Sequence, residues 1–279
     1  MLNGSIDIHA RWGSLDFAGI ERSLQAIFGT RPLTLLHAQG NLIWTDGEAV
    51  YKLTDPKVCK RAQTSLVAVQ AILAVDATFP TIPPLSEEVI DLDLGPLGRW
   101  AVTIWEYREA FPFSPGPEDT HSYRYLGETL RRLHKIVIPG LSRHDPLQWT
   151  AERVKHLSSV RGMTHLEDHV ASLSQRYADL FSADEDVTVH GDMHWHQTVM
   201  TTGGEILLLD FENAALGHPS VDLFPSGGWI RRTGFPSAAQ MAALKVGYGD
   251  EWVSQTPAQQ ALSVEIADFA IETWRLNSS

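Results

Sequence analysis

Cysteine is almost absent from this chain of 279 residues, which has a single one at Cys59. A disulfide framework therefore cannot form, and we expect the protein to work in the reducing cytoplasm. Long apolar runs are also missing. The longest aliphatic run covers residues 206–209, far short of the roughly 20 residues that a transmembrane helix needs. Residues 1–7 lack the basic and apolar regions of a signal peptide.

Basic residues are scarce. The 22 Lys and Arg face 34 Asp and Glu, which gives a formal net charge of −12. Such a chain repels phosphate backbones, so we expect no nucleic-acid partner and no membrane partner. The hydrophobic fraction of 43% excludes a disordered chain. The excess of acid either serves solubility or attracts a cationic ligand.

Hydrophobic periodicity predicts an α+β fold in which a sheet-rich region precedes a helical one. Helices are predicted over 15–29, 57–75, 120–135, 147–160 and 165–181 and from about 237 to the end, and strands within 33–54 and at 88–94, 99–105, 187–189, 198–200 and 206–209. Three prolines and a glycine at 112–117 predict a loop. We therefore predict an N-terminal lobe over 1–105, a C-terminal lobe over 106–279 and a hinge near 104–109.

Two aspartates follow predicted strands in the segment 187–223. Asp192 comes after a short strand and a glycine, and Asp210 ends an aliphatic strand. The tight hairpin between them is predicted to return both carboxylates to the same edge. Gln197 adds a nearby amide oxygen, and two carboxylates with a carboxamide suit Mg²⁺ that also binds phosphate oxygens. In kinases one Asp orients the attacking hydroxyl, while an amide and a second Asp hold the metal.

An alternative interpretation uses the histidines of the same segment. His190, His194 and His196 could form a transition-metal site with Asp192, because alternate residues of an extended segment can converge on one ion. This interpretation leaves the later motifs of the segment unexplained.

The motifs of the segment resemble those of the aminoglycoside phosphotransferase and choline-kinase-like family. The resemblance is carried by His190-Gly191-Asp192, an amide at 197, Asp210-Phe211-Glu212 and Gly217-x-Pro219-x-x-Asp222. It is weaker but consistent at 127–134, 50–53 and 105–107. It implies a protein-kinase-like bilobal fold with a small antiparallel-sheet N-lobe and a larger, mainly helical C-lobe.

For the nucleotide, the resemblance implies four residues. Lys52 would neutralise the phosphates of ATP or GTP, and Gly40 would belong to a short loop in place of a glycine-rich one. Glu106 and Tyr107 would lie in the hinge that contacts the base.

For phosphoryl transfer, the resemblance implies that Asp192 positions the acceptor hydroxyl or accepts its proton. Gln197 and Asp210 would hold Mg²⁺ on the β- and γ-phosphates. His190 and Asp222 would support the catalytic loop without reacting.

The sequence departs from the family pattern at two points. Position 197 is Gln where the family usually has Asn, so the amide oxygen reaches one methylene further. The helix at 57–75 has no Glu to pair with Lys52, so Gln63, Gln70 or a residue from elsewhere must take that place. Both departures favour the alternative that the protein is a degenerate kinase that binds nucleotide without turnover.

The acceptor site is expected on helices of the C-terminal lobe. Glu265, Asp268 and Glu272 share one helix face, which is either a solvated face or an acidic wall for a cationic acceptor. His194 and Trp195 either line the acceptor side of the catalytic loop or pack in the core. We expect an antibiotic acceptor, either an aminoglycoside or a basic cyclic peptide such as capreomycin or viomycin, so that the enzyme confers resistance. Choline, an amino sugar or a nucleoside is the alternative, and the protein would be a monomer or homodimer.

Overall fold

The structure is a computed structural model that describes residues 15–29, 31–38, 41–55, 59–95, 98–223 and 236–278. By their internal contacts these residues form two compact units. Unit 1 combines the described residues up to Phe111 with Met200–Glu212, and unit 2 combines Pro112–Val199 with the described residues from Asn213 onward. Residues 200–212, which the predicted division gives to the C-terminal lobe, thus have their contacts in unit 1.

Unit 1 is built on a five-stranded antiparallel sheet with the strand order β1-β2-β3-β5-β4. Its strands are β1 (Thr34–Ala38), β2 (Leu42–Thr45), β3 (Ala49–Thr54), β4 (Ile90–Asp93) and β5 (Arg99–Glu106). The tight turn between β2 and β3 contains Gly47 at φ +88°, a conformation that glycine adopts without strain. The register places Lys52 of β3 opposite Ile43 of β2 and Thr103 of β5.

Among the described residues of unit 1, two helices accompany this sheet. Helix α1 (Phe17–Phe28) begins at Asp16, whose side chain accepts a hydrogen bond from the Gly19 amide, and ends at Gly29. Its buried face joins the sheet residues in one apolar core. Helix α2 (Cys59–Val75) contains no acidic residue and buries small and aliphatic side chains.

Unit 2 is mainly helical. Its helices are α3 (Thr120–His134), α4 (Gln148–Arg161), α5 (His165–Leu180), α6 (Ser220–Leu223), α7 (Ala238–Tyr248) and α8 (Pro257–Ser278). Helices α4, α5 and α8 share an apolar core that contains Leu157, Leu173 and Leu262.

Helices α3 and α7 approach very closely because each has a glycine at the contact. A Cβ atom on Gly127 would lie 2.2 Å from the Leu244 carbonyl oxygen, and one on Gly247 would lie 1.9 Å from the Arg124 carbonyl oxygen. Only glycine fits at either position, because a Cβ atom there would overlap backbone atoms.

The described part of the chain contains five further short strands: β6 (Ala110–Pro112), β7 (Val187–Val189), β8 (Thr198–Thr201), β9 (Ile206–Leu208) and β10 (Ala215–Gly217). Strand β7 pairs with β10, whereas β8 and β9 form a sheet with β6. The predicted hairpin is present, since β8 and β9 are neighbours in this sheet; Asp192 precedes it and Asp210 follows it, and the return of both carboxylates to one edge stays a prediction. The predicted α+β class, with an antiparallel sheet followed by helices, is confirmed.

None of the helices in the described ranges is both long enough and apolar enough to cross a bilayer.

Candidate active site

Lys52 lies in an ion-pair cluster within unit 1. Its Nζ is 2.8 Å from Oδ1 of Asp210 and 2.6 Å from Oε1 of Glu212, and its side chain is only 13% exposed. Burial disfavours the ammonium, but the two carboxylates outweigh burial and raise the pKa of Lys52 above its ordinary value. The lysine is therefore held charged at the position where the resemblance expects phosphate to bind.

Asp210 lies two residues after the end of the buried strand β9 and has φ +62°. This left-handed conformation is uncommon for a residue with a side chain, although Asp tolerates it better than most. Phe211 beside it is buried, and its ring centroid lies 6.4 Å from that of Phe79. The anchored Phe211 ring and the buried strand on the other side fix the backbone at Asp210.

Helix α2 does not supply the acidic partner of Lys52. Gln70 of α2 donates instead to the backbone carbonyls of Ser86 and Glu87, while Glu212 supplies the carboxylate. Sequence reasoning assigned no role to Glu212, although it quoted the residue within a motif.

Asn41 is a second residue that sequence reasoning missed. Its Nδ2 donates to Oε1 of Glu212 at 2.9 Å, across 171 positions in the sequence. Gly40, the predicted loop glycine beside it, lies outside the described residues.

The residues of the predicted catalytic loop lie together in unit 2. Asp192 is 43% exposed, and its Oδ1 is 3.7 Å from Nε2 of the buried His194. Gln197 donates from Nε2 to Oδ2 of Asp192 at 3.3 Å. The amide nitrogen of Gln197 therefore faces Asp192, which leaves its oxygen, the atom that can bind a metal, on the other side of the amide.

Asp222 supports this loop through hydrogen bonds to its backbone. Its carboxylate accepts hydrogen bonds from the backbone amides of His190 at 2.7 Å and Gly191 at 3.0 Å. Nε2 of His134 lies 3.1 Å from Asp222, and Nδ1 of His134 lies 2.8 Å from the Tyr248 hydroxyl. Burial disfavours the charged carboxylate, but these hydrogen bonds and the nearby histidines lower the pKa of Asp222.

His144 is a further support that sequence reasoning did not identify. Its side chain is half-buried, with Nδ1 3.3 Å from the Tyr177 hydroxyl, and it forms a hydrogen bond to the backbone of Gly191. Burial lowers the pKa of His144 more than the neighbouring carboxylates raise it. No local pattern marks this residue, since its contacts are with residues far along the chain.

Of the predicted hinge residues, Glu106 ends β5 and Tyr107 follows it, both in unit 1. Glu106 donates its backbone amide to the Pro83 carbonyl at 3.0 Å, and Tyr107 donates its amide to the Glu48 carbonyl at 3.2 Å. The side chain of Glu106 pairs with Arg108 at 2.9 Å. Their contact with a nucleotide base stays a prediction.

His37 shares a sheet face with Lys52. The register pairs His37 with Ile43 and Ile43 with Lys52, so the three residues form one row across the strands. Burial lowers the pKa of His37, and the charge of Lys52 lowers it further. Strand β1 is too short for its sequence pattern to predict that His37 shares a sheet face with Lys52.

A cavity of about 310 Å³ opens in unit 2 beside Trp195. Trp195 itself is 1% exposed and donates from its indole nitrogen to the Tyr123 hydroxyl at 3.2 Å. The cavity is lined by hydroxyl, amide, proline and aromatic groups, from Ser114, Pro115, Pro117, Tyr123, Trp195, Ser237 and Gln240. Trp195 therefore both packs in the core and forms part of a cavity wall.

The three predicted acidic residues lie on α8. Glu265 is held by Arg176 of α5 through two contacts of 2.8 Å, whereas Asp268 and Glu272 are exposed. The Arg176 guanidinium lowers the pKa of Glu265, against a smaller effect of burial. A cation at Glu265 would have to compete with Arg176.

The transition-metal interpretation finds no support in the described part of the chain. No group of three or more His, Cys, Asp or Glu side chains there is arranged to hold a metal ion. His194 instead caps the turn at 195–197, where its Nδ1 accepts a hydrogen bond from the His196 amide.

Comparison with known structures gives many neighbours of the same fold. The amicoumacin kinase hAmiN, in complex with AMP-PNP, Ca²⁺ and Ami, has a TM-score of 0.68 at 14% identity, over 94% of this chain and 87% of the other. The aminoglycoside phosphotransferase APH(3'')-Id from Streptomyces rimosus has a TM-score of 0.64 at 15% identity, over 92% and 98%. A choline/ethanolamine kinase family protein from Mesorhizobium loti has a TM-score of 0.60 at 22% identity, over 93% and 85%.

A family model for the phosphotransferase enzyme family matches residues 42–258. This range covers most of the chain and includes Lys52, Asp192 and Asp210. The predicted family resemblance and the predicted phosphotransferase activity are confirmed. The chain belongs to the phosphotransferase enzyme family and has the protein-kinase-like fold.

Proposed function

We propose that this protein is a Mg²⁺-dependent kinase that transfers the γ-phosphate of ATP or GTP to a hydroxyl of a small cationic acceptor. The observation that carries the proposal is the 2.8 Å contact between Lys52 and Asp210. These residues are 158 positions apart, and the resemblance assigns one to phosphate and the other to metal. Their meeting favours a working nucleotide site.

Asp192 and Lys52 would have different roles in phosphoryl transfer. Asp192 would accept the proton of the acceptor hydroxyl or orient that hydroxyl, and its exposure of 43% leaves it accessible. Lys52 would neutralise charge on the nucleotide phosphates. Phosphoryl transfer requires mainly positioning and charge neutralisation, which is what the braced loop and the buried lysine are suited to provide.

Each unit offers an oxygen donor of the kind that Mg²⁺ prefers. Asp210 is 32% exposed and offers a carboxylate, and the Gln197 amide is turned so that its nitrogen faces Asp192. A hard ion with few protein ligands keeps water and phosphate oxygens in its other positions. When bound, the ion would stabilise the negative charge of the transferred phosphoryl group.

The acceptor is proposed to be a cationic antibiotic, such as an aminoglycoside or a basic cyclic peptide, so that the enzyme confers resistance. Solved neighbours with this fold include an aminoglycoside kinase and a choline kinase, whose named acceptors carry cationic groups. The net charge of −12 and the exposed carboxylates of Asp268 and Glu272 favour such an acceptor. The cavity beside Trp195 has a volume of about 310 Å³, which makes it a candidate for part of the acceptor site.

The proposal extends to the cellular setting. With one cysteine, the chain suits a reducing cytoplasm, and we propose a monomer or homodimer that acts without nucleic-acid or membrane partners.

The deciding experiment is nucleotide-dependent phosphorylation of an acceptor panel. Aminoglycosides, viomycin and capreomycin would be tested beside choline, amino sugars and nucleosides, each with ATP and with GTP. We expect transfer to a cationic antibiotic, lost when Mg²⁺ is removed with EDTA. Transfer only to choline, an amino sugar or a nucleoside would make the protein a metabolic kinase instead.

A degenerate kinase is the remaining alternative, and the Gln at position 197 is the observation that favours it. Binding of Mg²⁺-nucleotide with no transfer to any acceptor of the panel would support that alternative against the enzyme. Isothermal titration with AMP-PNP measures binding without turnover and separates the two outcomes.

A further inference from the structure

We infer that Glu212 is a positioning residue that sets the side chain of Lys52 for nucleotide phosphates, in place of an acidic residue on α2. The inference rests on the proposed nucleotide role of Lys52. It concerns a residue to which neither the motif nor the family match gives a role.

The geometry at the lysine ammonium supports this role. An ammonium has three N–H donors, and the contacts at 2.8 Å to Asp210 and 2.6 Å to Glu212 engage two of them. Two fixed donors determine the direction of the third, which can then meet a phosphate oxygen. The pair is shielded from water because Glu212 is only 6% exposed at its side chain, so the interaction is stronger than a surface ion pair.

Glu212 also connects the lysine to the strand that follows the β1–β2 loop. Its Oε1 accepts from Nδ2 of Asn41 at 2.9 Å as well as from Lys52. Asn41 directly precedes β2, so one carboxylate oxygen fixes both the start of that strand and the ammonium. Glu212 thereby links the start of β2 to the Lys52 ammonium.

Helix α2 does not supply this carboxylate. Its sequence from Cys59 to Val75 has no Asp or Glu, and its buried positions are Ala62, Ser65, Leu66, Ala68, Val69 and Ile72. An ion pair to a kinase lysine ordinarily comes from the corresponding helix. Here two carboxylates two residues apart, Asp210 and Glu212, hold the lysine together.

The test is a double-mutant cycle with Lys52→Met and Glu212→Gln in the full-length protein. Glutamine keeps an oxygen that can accept from Asn41 but removes the charge that Lys52 needs. We expect Glu212→Gln to weaken AMP-PNP binding about ten-fold, the size expected when a charge-assisted hydrogen bond is lost. We expect the double variant to bind no more weakly than Lys52→Met alone.

Chemical unfolding of the same variants, together with a control variant, makes the outcome decisive. In chemical unfolding without nucleotide, we expect the destabilisations caused by the two substitutions to be non-additive, because each removes the same contact. This result would hold even if the protein proved to lack kinase activity, so the failure of the proposed function and of this inference are distinguishable. Glu205→Gln, on an exposed residue of the hairpin before β9, is the matched control and should change neither readout.

The rival role for Glu212 is that of a metal ligand. In that case Glu212→Gln would weaken AMP-PNP binding only in the presence of Mg²⁺, and its effects would add to those of Lys52→Met. If Glu212 instead positions Lys52, Glu212→Gln must weaken AMP-PNP binding both with Mg²⁺ and with EDTA. Additive effects in binding and in unfolding would overturn it.

Discussion

Gly191 lies against the backbone of Asn213 so closely that a Cβ atom on it would be 2.2 Å from the Asn213 carbonyl oxygen. The same glycine has φ +80°. The residue before Asp192 must therefore be glycine for two independent reasons, one of space and one of backbone conformation.

Replacing Gly191 with alanine tests this contact. We expect Gly191→Ala to lower the free energy of unfolding by about 3 kcal/mol or more, because strain and overlap with backbone act together. Gly204→Ala is the control. Gly204 has φ +83° but nothing within 4 Å of a Cβ atom, so we expect a loss of only about 1 kcal/mol from strain. Urea denaturation of both variants measures the difference, and equal losses would refute the role of the contact.

Removal of the Asp192 carboxylate should separate chemistry from binding. We expect Asp192→Ala to lower kcat about 1000-fold, as loss of a general base does, while the Kd for AMP-PNP changes less than about two-fold. Asp184→Ala, on an exposed acidic residue of the same unit, is the control for lost charge. A variant at position 192 that retains most of its kcat would show that the assigned role is wrong.

The half-buried His144 predicts how stability depends on pH. Its pKa is lower in the folded protein than in the unfolded chain, so the folded state binds fewer protons. Its contribution to stability is therefore complete above about pH 6.5, the ordinary value for histidine, and declines as the pH falls below it. The slope from this one group can reach about 1.4 kcal/mol per pH unit.

Unfolding of His144→Gln between pH 5 and pH 8 measures that contribution. We expect a flatter acid side than in the unsubstituted protein. His156→Gln, at an exposed position of α4, should leave the slope unchanged. Parallel curves for all three proteins would exclude His144 as the source.

The exposed acidic residues of α8 provide a test of the acceptor's charge. We expect Asp268→Ala combined with Glu272→Ala to raise the KM for a cationic acceptor about five-fold, because each exposed carboxylate contributes a fraction of a kcal/mol. The KM for nucleotide should not change. Glu87→Ala with Glu88→Ala removes two exposed charges from unit 1 and serves as the control. If the acceptor KM stays the same, this helix face is merely solvated.

Elements with a long hydrophobic period could be predicted from the sequence. The stripe of Tyr123, Leu126, Leu130 and Leu133 predicted α3, and all four residues are buried. The order of motifs over 187–223 similarly indicated the family, because each motif requires a particular residue at a particular spacing. These signals are local, so the sequence displays them directly.

Other features depend on contacts between distant residues and could not be predicted. The pairing of β7 with β10 joins strands of three residues each, which are too short to show a period. The contact of His134 with Tyr248 spans 114 positions, and that of Asn41 with Glu212 spans 171. The choice of Glu212 as partner of Lys52 depends on the backbone at Asp210, which no residue pattern specifies.

Helix α2 carries no carboxylate of its own, and this has a consequence for how the protein can change over generations. Its inward positions are constrained by volume and not by charge. Apolar replacements of similar size should therefore be accepted along the helix with little loss of activity. A saturation scan would then find sequence freedom in α2 and strict requirements at positions 210 and 212, so that variation could accumulate in the helix without disturbing the ion pairs of Lys52.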